Sequence, residues 1–343
     1  MIMTVTGILS EDIKFLRAAL VEAAKGRGRT HPNPAVGAVV VRNRRVLSRG
    51  WHRAAGCPHA EIEALGGLKK TSDARGATLY VTLEPCSTHG RTPPCTQAII
   101  DAGIHRVVYG ARDPNPIHAG RADRILKKAG VAVTRGVLEQ ECALLNEAWN
   151  KWIATGFPFV VVKAGMSLDG CIASPPGKRW ITSEESRLDA MRLRAGCGAI
   201  LVGGETVRAD NPRLTVRGIT GALQPLRVVW TRSGKLPRMS HLFTDEFRQK
   251  TLVYENVPLR KVLKDLAGKG VEKVLVEGGG RTLGDVMDRR LADSVVLYVA
   301  PVLSGGGVPA IAGRGAGSNE KGIRLKEVTY RRLGPDLKIE GRV

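Results

Sequence analysis

The segment Thr155-Gly156-Phe157-Pro158 constrains the fold most, because it interrupts two long series of alternating strand and helix patterns. A glycine followed so closely by a proline stops a helix and redirects the chain. Before the break, the short apolar runs at 35–41 and 77–82 read as buried strands, joined by weaker strand patterns at 45–52, 106–110 and 131–134. Helical patterns lie between and after them at 60–70, 96–102, 122–129 and 138–153. After the break, strands at 159–164, 199–202, 226–231, 251–255, 273–277 and 294–300 alternate with helices at 183–195, 259–267 and 282–289. Such alternation points to α/β layers, in which helices cover the faces of a sheet. The chain is therefore expected to form two α/β domains, 1–154 and 155–343, each long enough to bury its own core. The glycine-rich run at 304–317 is expected to be a mobile loop.

Composition narrows the function classes. The chain has 53 basic and 32 acidic residues, a net charge of +21, and a pI near 10.2. That balance suits a nucleic-acid binder, but the charge is spread through both halves and aromatic residues are only 4%, poor material for stacking bases. A phosphorylated small molecule needs only a few placed arginines. No run approaches the roughly 18 apolar residues of a membrane span. Glu11 and Asp12 stand where a secretory leader would be basic and then apolar. Six cysteines in this length suit a reducing, cytoplasmic setting with metal-bound or lone thiols. No membrane or nucleic-acid partner is expected.

The chemistry of the first half is written in His59, Glu61, Cys86 and Cys95, an H-x-E…P-C…C pattern characteristic of zinc-dependent deaminases. One imidazole and two thiolates neutralise a zinc ion and leave its fourth position open for water, whose pKa the metal lowers toward neutrality. Removing an amine also requires a group that carries protons from water to the departing ammonia, the role expected of Glu61. Residues two apart on a helix do not share a face, so the metal is expected at a helix N-terminus. Cys57 lies near enough in sequence to compete as a ligand, whereas Cys142, Cys171 and Cys197 fit packing roles. The cysteines are separated by Ser87–Pro94, longer than the two-residue spacing of the general signature; Pro93 and Pro94 restrict that insert and place Cys95 at the start of the next helix.

The insert is also what makes the chain distinctive. Thr30-His31-Pro32-Asn33-Pro34, His59-Ala60-Glu61, the run from Leu83 to Cys95 and Asp113-Pro114-Asn115-Pro116 resemble the bifunctional deaminase–reductases of riboflavin biosynthesis. The resemblance implies an N-terminal, cytidine-deaminase-like three-layer domain acting on a diaminopyrimidinone that carries a ribosylamino 5-phosphate. It implies Asn33, His52 and His89 in the pyrimidine pocket.

Physics alone says less of the second half. Gly278-Gly279-Gly280 follows a strand and precedes a helix, a geometry that can offer backbone N–H groups to a pyrophosphate or simply make a tight turn. The resemblance is stronger. The run Lys163–Gly170, Arg179-Trp180-Ile181-Thr182-Ser183, Arg194-Ala195, the run Thr206–Arg217 and Val276-Glu277-Gly278-Gly279 are similar to the reductase half of the same family. They imply a fold similar to dihydrofolate reductase, with NADPH reducing the ribosyl chain of the aminouracil phosphate to ribityl. Carried over, Gly165, Trp180, Thr206, Asp210 and Gly279 meet NADPH, and Arg194, Leu214, Arg217 and Glu277 meet the substrate. A guanidinium fork suits a phosphate. Lys163 and Glu277 are candidates for stabilising charge that develops during reduction.

Lys178 stands where the family has a serine, and Thr231-Arg232 where it often has Asp-Ser; Arg232 could approach a cofactor phosphate. The family also implies a homo-oligomer, dimer or tetramer. Two other readings compete: a nucleic-acid or cytosine deaminase with an unrelated second domain, and a basic zinc-stabilised nucleic-acid-binding protein. The long cysteine insert counts against the first. Glu61 counts against the second, because a closed structural zinc site has no use for it.

Overall fold

The computed structural model describes residues 10–88, 93–115, 118–172, 180–315 and 317–343. His89 and Lys178 lie outside them. The chain divides into two compact units, Met1–Thr155 and Gly156–Val343.

The first unit runs α1 (Ser10–Ala24), β1 (Gly37–Arg42), β2 (Arg45–Trp51), α2 (Ala60–Gly66), β3 (Thr78–Leu83), α3 (Cys95–Asp101), β4 (Arg106–Ala111), α4 (Arg121–Lys128), β5 (Ala132–Arg135), α5 (Glu139–Leu145) and α6 (Glu147–Thr155). Its sheet has the order β2-β1-β3-β4-β5, with β1 antiparallel to both neighbours and β3, β4 and β5 parallel. Alternate residues along each central strand enter different cores. Ala38, Val40, Leu79, Val81 and Val107 pack with Ala60, Ala64, Ile99 and Leu126 from α2, α3 and α4. Val39, Val41, Tyr80 and Val108 pack with Phe15, Leu16, Ala19, Cys142 and Trp149 from α1, α5 and α6. A sheet covered on both faces gives the three layers, and explains why these strands read as continuous apolar runs.

The second unit runs β6 (Phe159–Ser167), α7 (Glu184–Ala195), β7 (Ala199–Gly203), α8 (Gly204–Asp210), β8 (Leu226–Thr231), α9 (His241–Thr244), β9 (Thr251–Glu255), α10 (Leu259–Gly268), β10 (Lys273–Val276), α11 (Gly280–Asp288), β11 (Ser294–Ala300), β12 (Lys326–Leu333) and β13 (Asp336–Arg342). Its eight strands are ordered β12-β13-β11-β6-β10-β7-β8-β9, parallel from β11 to β9, with an antiparallel β12–β13 hairpin at one edge. Val160, Val162, Leu201, Val274 and Val276 pack against Leu259, Leu263, Leu283 and Val286 of α10 and α11. Ser183 caps α7, accepting the Ser186 N–H at 3.3 Å as its sequence position implied.

Several elements differ from the sequence reading, which anticipated neither α8 nor α9. The helix expected over 138–153 is two helices broken at Asn146, whose side-chain amide leaves the helix to bond both the N–H and the carbonyl of Ala35 at 2.9 Å. The helix expected over 60–70 ends at Gly66. Helix α1 carries no expectation from the sequence reading, although it buries Phe15, Leu16, Ala19 and Ala23. The β12–β13 hairpin is likewise new; β12 is largely solvent-exposed and charged, so it lacks the apolar pattern of a strand.

Two candidate active sites

In the first unit, three ligand-type side chains arrive from two connections, the one entering α2 and the one between β3 and α3. His59 is the N-cap of α2, with extended backbone at φ −69° and ψ 161°. Cys95 is the first residue of α3, immediately after Pro94. Cys86 follows β3. His59 Nδ1 lies 3.2 Å from Cys95 Sγ and 3.5 Å from Cys86 Sγ, and the Cys95 backbone N–H donates to Cys86 Sγ at 3.2 Å. All three ligand atoms fall within 4.8 Å of one another, and Cys57 is not in the group. Two sulfurs and an imidazole nitrogen, with no fourth side chain among the described residues, match the donor set of an open zinc site. Because His59 precedes the helix and does not belong to it, Glu61 shares its side of the site despite the two-residue spacing.

The electrostatics fit that geometry. Cys86 is pulled down to about 4, first by the Cys95 thiol and then by His59, against the effect of burial. Cys95 is pushed up because the two sulfurs compete for one proton. Glu61 is buried and rises to about 7, mainly through desolvation and next through the negative Cys86. A carboxyl group held near neutrality can both take and give a proton.

His52 is buried beside His59, the rings edge to face with centroids 5.5 Å apart. Its Nδ1 donates to the Pro58 carbonyl at 3.0 Å, which leaves Nε2 to accept from Asn33 Nδ2 at 3.0 Å. Burial lowers its pKa, consistent with a neutral ring. Asn33 and His52 are thus joined directly and placed next to the His59 connection. Sequence reasoning missed Glu84. Its buried carboxylate accepts backbone N–H groups from Gly120 at 3.1 Å and Ala122 at 3.3 Å, tying the start of α4 to the strand end before Cys86.

In the second unit, a cleft of about 1460 Å³ brings together Lys163, Gly165, Trp180, Arg194, Thr206, Asp210, Leu214, Arg217, Glu277 and Gly279. These lie at or beyond the carboxyl ends of parallel strands and on neighbouring helices and loops, the usual ligand position in open α/β sheets. Arg194 faces Glu277 in a two-pronged pair, Nε to Oε1 at 2.8 Å and Nη2 to Oε2 at 2.6 Å, and its Nη1 donates to the Thr215 carbonyl at 2.9 Å. The fork expected to face a phosphate is therefore turned onto a carboxylate here. Burial alone would raise Glu277, but facing Arg194, Lys163 and Arg217 bring it down to about 2.

Thr206 Oγ1 accepts the Gly279 N–H at 2.9 Å and fixes the triglycine turn. A Cβ on Gly278 would come within 3.0 Å of the Gly203 nitrogen, so glycine is what lets this turn lie against the end of β7. A glycine turn opening α11 on a large cleft, with cationic side chains around it, fits a dinucleotide. Trp180 is 54% exposed, with the Arg187 guanidinium 5.3 Å from its ring centre. Arg232 is exposed, stands 3.8 Å from Asp285, and is not among the cleft residues. Tyr298 does line the cleft, with Lys163 Nζ 5.7 Å from its ring centre; nothing in its apolar strand context announced it.

Comparison with known proteins agrees with this division. Residues 9–111 match the cytidine and deoxycytidylate deaminase zinc-binding region, and residues 158–339 match the RibD C-terminal domain. The riboflavin biosynthesis protein RibD of Aquifex aeolicus is 38% identical over 349 residues, 96% of this chain and 97% of that protein. A structure of Acinetobacter baumannii RibD superposes with a TM-score of 0.89 at 33% identity, covering 98% of this chain and 99% of that one. A Thermotoga maritima diaminohydroxyphosphoribosylaminopyrimidine deaminase/5-amino-6-(5-phosphoribosylamino)uracil reductase gives 0.87 at 34% identity, covering 97% and 98%.

Proposed function

The chain belongs to the RibD family, the bifunctional deaminase–reductases of riboflavin biosynthesis, and from that membership we propose how its own residues carry out the two reactions. The first unit removes the amine from a diaminopyrimidinone bearing a ribosylamino 5-phosphate. The observation that carries this reading is the convergence of His59 Nδ1, Cys86 Sγ and Cys95 Sγ beside a buried Glu61. His59, Cys86 and Cys95 hold zinc, which when bound makes water acidic enough to attack near neutral pH. Glu61 takes the proton of the attacking water and delivers it to the departing ammonia. The Asn33–His52 pair orients the ring; His89, which the family resemblance also assigns to the substrate, lies outside the described residues.

The second unit then reduces the aminouracil phosphate at C1 of its opened ribose. NADPH, when bound, supplies the hydrogen and the electron pair. Gly165, Trp180, Thr206, Asp210 and Gly279 hold the cofactor. Leu214 and Arg217 hold the substrate, together with Arg194 and Glu277, whose pairing keeps both side chains fixed. Lys163 gives a proton to the atom on which charge develops. The reading takes the enzyme to be a cytoplasmic homo-oligomer acting on small molecules and not on nucleic acid; sedimentation velocity and salt-dependent binding to mixed RNA test those parts.

The deciding experiment is incubation with the diaminopyrimidinone phosphate, with and without NADPH. Ammonia release without NADPH, and NADPH oxidation only after deamination, are the expected results. No ammonia release from zinc-loaded protein would overturn the reading.

A further inference from the structure

Leu214 and Arg217 stand on a connection, 211–217, that contains no helix or strand. Asn211 and Leu214 have φ of 42° and 50°, a region that non-glycine residues occupy only when their surroundings hold them there. The supports are specific. Asn211 Oδ1 accepts the His241 N–H at 2.9 Å. The Arg213 carbonyl accepts from Arg227 Nη1 at 3.2 Å, and the Thr215 carbonyl from Arg194.

Val216 is held most completely. Its N–H donates to Gln224 Oε1 at 2.8 Å and its carbonyl accepts from Gln224 Nε2 at 2.9 Å. The Gln224 side chain thus plays the part of a neighbouring strand's peptide, using a planar amide to satisfy both backbone groups of one residue. Gln224 is itself tied down, its carbonyl accepting from Lys250 Nζ at 2.8 Å. The clamped residue lies between Thr215, which accepts from Arg194, and Arg217, whose Nη1 donates to Thr215 Oγ1 at 3.2 Å. Turning the Val216 backbone would swing the two side chains on either side of it.

We propose that Gln224 is a positioning residue for the reductase substrate, setting the direction in which Arg217 presents its guanidinium to the phosphorylated pyrimidine. Gln224 itself is not among the residues that line the cleft. The proposal rests on the reading that Arg217 meets the substrate. Arg227, only 1% exposed and also bound to Asp245 at 2.7 Å and to the Leu242 carbonyl at 2.9 Å, steadies the other end of the same connection.

Gln224→Met keeps the length of the side chain and removes both bonds. Its KM for the aminouracil phosphate should rise about tenfold while kcat stays within about twofold, since misplacing a binding group by a fraction of an ångström is enough. NADPH affinity, measured by fluorescence of the bound cofactor, and ammonia release by the first unit should not change. Lys250→Met, which frees only the Gln224 carbonyl, should raise KM in the same direction by less, and gives a second test if Gln224→Met fails to fold. Arg217→Ala is measured beside them. A raised KM in Arg217→Ala with unchanged KM in Gln224→Met and Lys250→Met overturns the inference alone. Unchanged KM in all three overturns the reading of Arg217 as well. Parallel losses of kcat, NADPH affinity and thermal midpoint in Gln224→Met would make Gln224 a merely structural residue and also overturn the inference.

Discussion

Glu61 and Glu277 are both buried carboxylates, one in each unit, yet their surroundings drive them in opposite directions. Glu61 sits among a histidine and two sulfurs, so desolvation prevails and holds it near 7. Glu277 suffers the same desolvation, but Arg194 grips both its oxygens, with Lys163 and Arg217 adding positive charge, and it falls to about 2. Burial by itself therefore does not say what a carboxylate is for; its neighbours do. The first is suited to carrying protons. The second is a fixed anion that orients an arginine.

The largest expected effects fall on the first site. Removing zinc with a chelator should abolish ammonia release and leave NADPH oxidation with pre-formed aminouracil phosphate intact. Glu61→Gln in zinc-loaded protein should reduce deamination by about 10²- to 10⁴-fold, with the zinc content unchanged by metal analysis. If Glu61→Gln lost zinc and activity together, the distinction between a proton carrier and a metal-holding group would break down.

Arg194→Met tests the other side of the comparison. It removes the guanidinium that bonds both Glu277 oxygens and leaves only the charges of Lys163 and Arg217 facing that carboxylate, which should cost the second unit up to roughly 3 kcal/mol, read as a lowered unfolding transition. Glu277 protonation gives the pH counterpart. Its folded pKa of about 2 lies below the ordinary 4.5, so its stabilisation is present above pH 4.5 and lost as pH falls toward 2. The amount is about 3 kcal/mol, measurable as a loss of denaturant midpoint in the wild type that Glu277→Gln does not show. Glu61 has the reverse sign: raised to about 7, its contribution is present below pH 4.5 and lost as pH rises through 7 in zinc-free protein.

The residues of the candidate metal site were legible because the chemistry demands particular side-chain types in a short stretch, and the ligand atoms of His59, Cys86 and Cys95 lie within 4.8 Å of one another. The central strands were legible because burial on both faces makes them continuously apolar. The missed elements lacked such signals. Helix α1 shows its buried stripe only among neighbours, and Asp12 within it is buried because Arg106 pairs with it at 2.8 Å and Tyr80 donates to it at 3.0 Å. Gln224 and Glu84 read as ordinary polar residues, because no local pattern shows which backbone groups they hold: Gly120 and Ala122, far along the chain, for Glu84, and Val216 across the irregular 216–224 segment for Gln224.

Sequence alone determined that two α/β units stand in this order and which residue types a zinc-binding site would use. Tertiary structure decided which carboxylate titrates near pH 7 and which stays charged, that Arg194 closes on Glu277, and that a glutamine amide fixes the connection bearing Arg217. The physical reason is that strand and helix patterns are local, whereas the energy of a charge or an amide depends on partners that only folding brings within reach.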